Sequence, residues 1–286
     1  MGPVPNFCVS AEEKSDMTNH NAYRKKLLES YPLRRSVLHS AIQALQLPQG
    51  SRGLDAGCGI GQPDILLANA VGLEGHITGL DIVPEFLSLA QTIVEESGFS
   101  AQISFQEGNL NHLPFDNNTF DWAWSCDCVG YPTGDILSQL KELARVVKPG
   151  GTVAVAAWSS QNLLPGHLLL EARLNAYCSS YIPIVKGKKP EQNFLRALGG
   201  FRRASFEEPA VKTFVGDIYA PLDDDIQAAL ISFFEMLWGE AQSGEPEKDR
   251  ADYQRLCQPD SPECILNLPD YYAFFTYSMF WGKVPS

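Results

Sequence analysis

Three alternating glycines, Gly57, Gly59 and Gly61, follow a short apolar segment and are the first residues whose spacing points to chemistry. Glycine is required where a backbone turns sharply or where a ligand approaches a position that a Cβ atom would fill. The Gly-x-Gly-x-Gly spacing differs from the Gly-x-Gly-x-x-Gly pattern of dinucleotide-binding loops. Asp55, just before the glycines, would repel a pyrophosphate and attract an ammonium group. The loop therefore predicts a site for a cationic ligand without phosphates, with an ordinary tight turn as the alternative.

Two further polar positions follow strand-like segments. Asp81, next to Ile82, ends the second apolar segment, where a carboxylate could accept both hydroxyls of a ribose. The alternative is that Asp81 caps the helix that begins near Pro84. Asn109, followed by Leu110, comes after the third segment, where its amide could bond an adenine edge or form a turn. Ligands of open α/β sheets bind outside the carboxyl ends of the strands, so we expect these residues to lie near the glycine loop.

Four residues are candidates for a general base, which is needed only if the group that reacts must lose a proton. They are Asp127, Tyr131, His167 and Glu171. Asp127 and Tyr131 rank first because they follow the end of the fourth strand-like segment. The alternative, equally open at this point, is that Asp127 caps a turn and Tyr131 packs beneath the covering helices.

The pair Cys126 and Cys128 raises the question of thiolate chemistry. In an extended segment the two side chains would share one face. Small core packing is the favoured interpretation, because nothing else in the sequence would lower the pKa of a thiol.

Strand-like and helix-like patterns alternate through the middle of the chain, and these elements must position the residues above. This alternation predicts an α/β fold, a Rossmann-like doubly wound sheet that is mainly parallel, because parallel strands need crossover connections. We predict strands at 52–56, 76–82, 102–106, 120–125 and 152–158, and helices at 63–71, 84–98 and 135–147.

The flanking regions lack this rhythm. Residues 1–18 are polar and aperiodic, and Pro32 is expected to end a first helix at 21–30 before a second helix near 38–45. After residue 159 we predict helices at 166–181, 193–198 and 223–238, a helix with a loop within 239–262, and strands at 204–215 and 271–281. The aromatic residues of these helices would cover the site, although most are expected to be core: Tyr177, Tyr181, Phe233, Phe234 and Trp238, with Trp158 at the end of the fifth strand.

Composition limits the possible partners. The 286 residues carry a formal net charge of −12, and 44% of them are hydrophobic. An acidic surface disfavours nucleic acids and anionic membranes. Without an apolar leader or a membrane-length apolar stretch, the chain is expected to be cytoplasmic, with no stable membrane insertion. No His, Cys or carboxylate cluster has metal-ligand spacing, so we expect no metal.

Taken in order, these motifs resemble the class I S-adenosylmethionine (SAM)-dependent methyltransferases, especially the branch of the quinone-biosynthesis C-methyltransferases and many natural-product enzymes. The resemblance is strong over residues 38–158. It rests on the segments at 55–61, 81, 108–109, 113–115, 120–121 and 143–151.

The resemblance implies a role for each position. The three glycines would lie against the methionine part of SAM, and Asp55 would reach its amino group. Ser125 or Cys126, at the end of the fourth strand, would face the sulfonium.

The remaining positions would hold the nucleoside. Asp81 would bind the ribose, with Ile82 on the same binding surface. Asn109 and Leu110 would frame the adenine, although relatives often have aspartate at the position of Asn109.

No linker divides the chain convincingly, so we expect a single domain with helical cap insertions, and the resemblance implies an antiparallel last strand. Residues 1–35 would form an N-terminal segment and lid, 36–158 the cofactor-binding core, and 159–286 the rest of the sheet. The strand at 204–215 would pair with the last strand.

The implied function is methyl transfer from SAM, with S-adenosylhomocysteine as the product, to a small apolar or aromatic molecule. A SAM-binding protein without transfer activity retains every cofactor motif and stays an alternative. A NAD(P)-dependent oxidoreductase is disfavoured by the glycine spacing and by Asn109. The sequence leaves the acceptor atom and the oligomeric state open.

Overall fold

The computed structural model describes residues 17–130, 135–181, 193–239 and 246–286, without the side chains of residues 17–22 and 178–181. The strands in these residues are Arg52–Ala56 (β1), His76–Asp81 (β2), Ile103–Glu107 (β3), Phe120–Cys126 (β4), Val147–Asn162 (β5), Glu207–Tyr219 (β6) and Tyr272–Lys283 (β7).

The strands form one sheet in the order β3-β2-β1-β4-β5-β7-β6. β1 to β5 are parallel, as the alternation of strand and helix predicts. β7 is antiparallel to both β5 and β6. The Rossmann-like sheet, mainly parallel with an antiparallel last strand, is therefore confirmed. The chain moves outward in one direction from β1 to β3 and in the other from β4, so a crevice forms between β1 and β4.

Helices cover both faces of the sheet. They are Met17–Ala44 (α1), Gln62–Val71 (α2), Pro84–Glu96 (α3), Ile136–Val146 (α4), Leu168–Tyr181 (α5), Ala197–Arg203 (α6), Asp224–Trp238 (α7) and Glu247–Cys257 (α8), with 3-10 turns at Phe194–Arg196 and Ile265–Asn267.

The sheet separates two hydrophobic clusters. α4 and α6 pack in the smaller cluster, which includes Leu140 and Phe201. α1 to α3 pack in the larger one together with α5, α7 and α8, which supply residues such as Phe233 and Tyr253. Among the described helices, none has the length and hydropathy that a membrane span requires.

The N-terminal helices differ from the prediction. A single helix, α1, runs through Pro32, so the expected break there is wrong, and the boundary drawn at residue 35 falls within this helix. Proline inside a helix costs about 3 kcal/mol. Leu27 and Leu33, on either side of it, are buried in the larger cluster, and burying one leucine contributes about 1.5–3 kcal/mol. The free energy gained by burying the apolar side chains of α1 therefore outweighs the cost of a proline inside the helix.

Candidate active site

A cleft that is partly open to solvent lies at the carboxyl ends of β1 and β4. The crevice at this point of an open α/β sheet is where small ligands bind. The lining combines the glycine loop, α1 and the end of β4: Leu27, Arg34, Asp55, Gly57, Cys58, Gly59, Ile60, Gln62, Pro63, Cys126 and Asp127.

Backbone bonds to β2 hold the glycine loop in place. The N–H groups of Gly57 and Cys58 both donate to the carbonyl of Leu80, at 2.7 and 3.0 Å. Gly57 and Gly59 have φ angles of +86° and +57°, in the left-handed region that glycine adopts without steric cost. A Cβ atom at Gly59 would meet Leu27 at 4.0 Å and no other described atom within that distance. Gly59 therefore leaves room for a ligand.

Gly61 is required by the packing of the fold, whatever its backbone contacts in the cleft. It precedes α2 with a φ of +75°. A Cβ atom here would lie 2.9 Å from both Ala90 Cβ and Phe105 Cζ. The missing side chain thus allows α2 to pack against α3 and β3, rather than opening space for a ligand.

Asp81, at the end of β2, connects the glycine loop to the start of α3. One carboxylate oxygen accepts from the N–H of Gly59 at 2.9 Å, and the other accepts from the N–H of Val83 at 3.0 Å. An ionised carboxylate has about four acceptor sites, so this loop-stabilising role is compatible with ribose binding. Ile82, beside it, is half-buried.

Asn109 and Leu110 lie next to Asp81, because the N–H of Gly108 donates to the carbonyl of Asp81 at 3.0 Å. Asn109 is exposed, and its Oδ1 accepts from the N–H of Asn111 at 2.9 Å. The turn-forming role is therefore present, which leaves the NH₂ group of the amide as the donor for an adenine. Leu110 is buried.

Asp55 and Asp64 are two neighbouring carboxyl groups, and both are fully buried. Among the described residues, no hydrogen-bond partner contacts any of their four oxygens. Burial raises the pKa of Asp55 to about 7. Burial, followed by the charge of Asp55, raises the pKa of Asp64 well above its usual range. Two carboxyl groups this close do not both ionise readily, so the pair retains a proton.

Asp127 lies at the end of β4 and is buried. Its Oδ1 accepts from the N–H of Trp158 at 2.9 Å, and its Oδ2 accepts from the hydroxyl of Tyr277 at 2.8 Å. Nη1 of Arg34 lies 3.6 Å from the same Oδ2. Burial raises the pKa of Asp127 against the opposing effect of Arg34. Asp127 also has a φ of +52°, and such backbone conformations concentrate at functional sites.

Arg34 and Tyr277 complete this network. Their side chains are hydrogen-bonded to each other, and Tyr277 and Asp127 together raise the pKa of Arg34 although burial opposes its charge. Burial raises the pKa of Tyr277 well above its usual range, so the phenol stays protonated and donates to Asp127. Helix α1 is thereby fixed to the end of β4 at the floor of the cleft.

Ser125 and Cys126 take different positions. Ser125 is fully buried, and its hydroxyl donates to the carbonyl of Ala56 at 2.7 Å, so it connects β4 to β1. Cys126 lines the cleft. Of the two residues expected to face the sulfonium, Cys126 is the one that contacts this space.

The two cysteines do not form a reactive pair. Burial, followed by the charge of Asp127, raises the pKa of Cys126 well above its usual range, so its thiol stays neutral. Cys126 and Cys128 contact different hydrophobic clusters. The prediction of a shared face is wrong, because the strand ends at Cys126 and the backbone turns at Asp127.

Of the other base candidates, His167 and Glu171 are not among the residues that line the cleft. Tyr131 lies outside the described residues. Glu171 is buried, and its carboxylate accepts from the N–H groups of Leu163 and Leu164 at 2.9–3.0 Å. His167 is half-buried in the turn before α5. Glu171 therefore holds a turn, and Asp127 is the candidate base that lines the cleft.

The aromatic residues form a core, as expected for most of them. Phe233, Phe234 and Trp238 of α7 are fully buried. The Trp158 ring stacks on Phe275, with ring centroids 4.4 Å apart. Tyr177 is half-buried, and the side chain of Tyr181 lies outside the described residues.

Three residues of the site were not predicted from the sequence: Arg34, Asp64 and Tyr277. A signal existed for Arg34, because it follows Leu27 by seven positions and precedes Leu38 by four, which places it on the apolar face of a helix. Tyr277 is 150 positions from Asp127, and no local spacing relates the two.

Comparisons with known proteins agree with this geometry. A family model described as a methyltransferase domain matches residues 54–151. A demethylmenaquinone methyltransferase of Bacillus pumilus is 31% identical over 165 residues, which are 54% of this chain and 68% of that protein. The protein of the same name from Staphylococcus epidermidis is 31% identical over 199 residues, 63% of this chain and 77% of that protein. In three further Bacillus relatives the chain spans between 58% and 64% of their length.

A solved structure supports the fold. Phosphoethanolamine N-methyltransferase 2 of Haemonchus contortus, in complex with SAM, matches with a TM-score of 0.57 at 16% identity, over 97% of this chain and 60% of that chain. The fold and the cleft define an α/β protein that binds a small ligand where the strand order reverses. With the relatives above, the chain belongs to the class I SAM-dependent methyltransferases of the quinone-biosynthesis-like type, and its cofactor is SAM.

Proposed function

We propose that this enzyme methylates a ring-bearing, largely apolar small molecule with an ionisable hydroxyl, of which a reduced quinone is the model. The relatives described above are named for demethylmenaquinone, which becomes such a molecule on reduction. A net charge of −12 disfavours phosphate-rich acceptors. The observation that carries the proposal is one cleft that joins an open glycine loop to a buried carboxylate. We expect the enzyme to act in the cytoplasm.

The residues of the cleft fit SAM. Bound SAM supplies an electrophilic methyl group on a cationic sulfonium. Asp55 is one of the residues that line the cleft, and its buried carboxyl oxygens have no hydrogen-bond partner among the described residues, so it suits the α-ammonium group. Gly57 and Gly59 provide the space for the methionine part. Asp81 would then hold the ribose, with Asn109 and Leu110 at the adenine.

Asp127 is the proposed general base. It lines the cleft, and burial raises its pKa, so it accepts a proton more readily than an ordinary aspartate. The acceptor's hydroxyl would give its proton to Asp127, and the resulting oxyanion, or the ring carbon conjugated with it, would take the methyl group as S-adenosylhomocysteine leaves. After methylation at carbon, that carbon would lose its ring proton and the oxygen would regain one, which restores the aromatic ring. Arg34 and Tyr277 position this carboxylate and contribute no reacting atom.

The test uses Asp127→Asn, which keeps the size of the side chain. With SAM and a short-tailed demethylnaphthoquinol, general-base loss should lower kcat by about 10²–10⁴-fold, while affinity for S-adenosylhomocysteine changes little. Tyr277→Phe removes a hydrogen bond that lowers the pKa of Asp127, so the acidic limb of the kcat/KM profile should move to higher pH. Asp116→Asn, an exposed carboxylate, is the matched control.

Full activity of folded Asp127→Asn would remove the base assignment. Binding of S-adenosylhomocysteine without turnover of any ring-bearing acceptor would instead favour the alternative of a SAM-binding protein without transfer activity.

A further inference from the structure

Two acidic residues lie next to each other at the cleft, and only one of them lines it. Asp55, at the end of β1, lines the cleft, whereas Asp64, in the first turn of α2, lies behind it. Both side chains are fully buried. Among the described residues, their four oxygens have no hydrogen-bond partner, and the two carboxyl groups raise each other's cost of ionisation. Ionising either carboxyl group in this buried pair costs free energy unless a cation lies beside it. A positively charged ligand group would therefore be stabilised next to the pair.

The surroundings explain why the pair holds protons. The positive end of α2 favours a negative charge at Asp64. Burial opposes that charge, as does Asp81 at the end of β2. The other titratable groups that face the pair are Tyr31, Cys58 and Cys126, from α1, the glycine loop and β4. Burial raises the pKa of each of these three, so none supplies a countercharge.

The cation that lines the cleft, Arg34, is already engaged with Asp127. The α-ammonium group of the ligand is therefore the positive charge that would stabilise an ionised pair.

We propose that Asp55 and Asp64 act as one proton-holding unit, and that the ammonium group of the SAM methionine expels one proton from this unit when it binds beside Asp55. The inference rests on the proposed placement of SAM. Asp64 is then a positioning residue, since it contacts Asp55 and sets the charge that the ammonium meets. Because binding favours the deprotonated unit, affinity must rise with pH until the empty unit has lost that proton.

Calorimetry with S-adenosylhomocysteine, which retains the ammonium group, tests this without turnover. Between about pH 5.5 and pH 7 the dissociation constant should fall by up to about tenfold per pH unit, the limit for one linked proton. Titrations in buffers of different ionisation enthalpy should count about one proton released at the acidic end. 5′-Methylthioadenosine, which lacks the amino-acid part, should show neither effect.

Asp64→Asn keeps the shape of the side chain but removes the shared acid. Its proton release should fall toward zero, and its affinity for S-adenosylhomocysteine should become nearly flat with pH. Asp116→Asn should behave like the wild type.

The outcomes separate the two proposals. Wild-type protein that binds S-adenosylhomocysteine with no proton release, or Asp64→Asn that releases the same proton, overturns the acid pair and leaves the proposed function intact. Absence of binding at every pH overturns the proposed function itself. If Asp64→Asn fails to fold, the number of protons that the wild-type protein releases on binding S-adenosylhomocysteine is enough to test the acid pair.

Discussion

Gly59 and Gly61 share a spacing and a left-handed backbone, yet they meet different surroundings. Gly59 faces the open cleft, whereas a Cβ atom at Gly61 would press on Ala90 and Phe105. The same sequence motif thus contains one glycine that faces open space and one that close packing requires. Sequence spacing does not separate them, because the atoms that fill the space at Gly61 come from α3 and β3.

Alanine should therefore mainly lower stability at Gly61 and mainly weaken ligand binding at Gly59. Gly61→Ala should lower the free energy of unfolding by about 2–5 kcal/mol, from a left-handed alanine (about 1–2 kcal/mol) and overpacking (about 1–3 kcal/mol). Gly59→Ala has only the backbone cost and should mainly weaken binding of S-adenosylhomocysteine. Urea unfolding and calorimetry measure the two quantities. Equal stability losses would contradict the distinction.

The residues that the sequence singles out and those that it does not differ in how local their sequence signals are. Asp55 and Asp127 stand at strand ends, where topology alone brings them to the cleft, and Asp81 ends β2 beside the glycine loop. The sequence does not single out Asp64, because an acid in the first turn of a helix has an ordinary explanation in the helix dipole. Tyr277 depends on the pairing of β7 with β5, which no short-range pattern encodes.

The predicted bounds of strands and helices agree with the structure where the spacing of apolar residues determines the type of element. β1 to β4 and α2 to α4 lie within a few residues of their predicted bounds, because buried strands and amphipathic helices have distinct spacings. β5, at 147–162, is much longer than the predicted 152–158, β6 is displaced toward the C-terminus from 204–215 to 207–219, and β7 lies within two residues of its predicted bounds. β7 pairs with β5 from Lys283 to Phe274 and with β6 as far as Tyr272, so these lengths depend on the partner strands.

Helix α1 gives a prediction of its own. Pro32 lacks the N–H that would bond the carbonyl of Leu28, and it is exposed. Pro32→Ala should restore this bond and raise the free energy of unfolding by about 1–3 kcal/mol. Pro84 starts α3, where no such bond is lost, so Pro84→Ala is the control and should gain little. Urea unfolding checks both. An unchanged Pro32→Ala protein would show that the proline bends α1 into a shape that its packing requires.

In the molecule as a whole, burial and neighbouring charges shift the pKa values of many acidic residues. The chain has a net charge of −12, and burial raises the pKa of several of its acids: Asp55, Asp64, Asp81, Asp127 and Glu171. Three acids nearer the surface shift the other way: Asp121, Glu142 and Asp252. The hydrogen bond from Arg145 lowers the pKa of Glu142. Burial opposes the shift at Asp121, but the N–H of Arg52 and the Lys148 ammonium lower its pKa.

These shifts set how stability varies with pH. An acid whose pKa is raised in the folded state binds more protons there than in the unfolded chain. Its contribution to stability is fully present below the unfolded pKa, about 4, and is lost as pH rises through the folded pKa, which is about 7 for Asp55. The lowered acids act in the opposite sense, and their contribution is lost below about pH 4.

The ligand-free enzyme should therefore be most stable near about pH 5, and its Tm should fall by roughly 2–6 °C between about pH 5.5 and pH 8, since 1 kcal/mol corresponds to about 2–4 °C at this size. Differential scanning calorimetry measures this loss. Repulsion between surface charges would produce a similar trend, but about 0.5 M salt shortens the screening length to roughly 4–5 Å and suppresses it. The buried acids are screened far less, so the loss should persist in salt and shrink in Asp64→Asn. A loss that disappears in salt would assign the effect to the acidic surface instead.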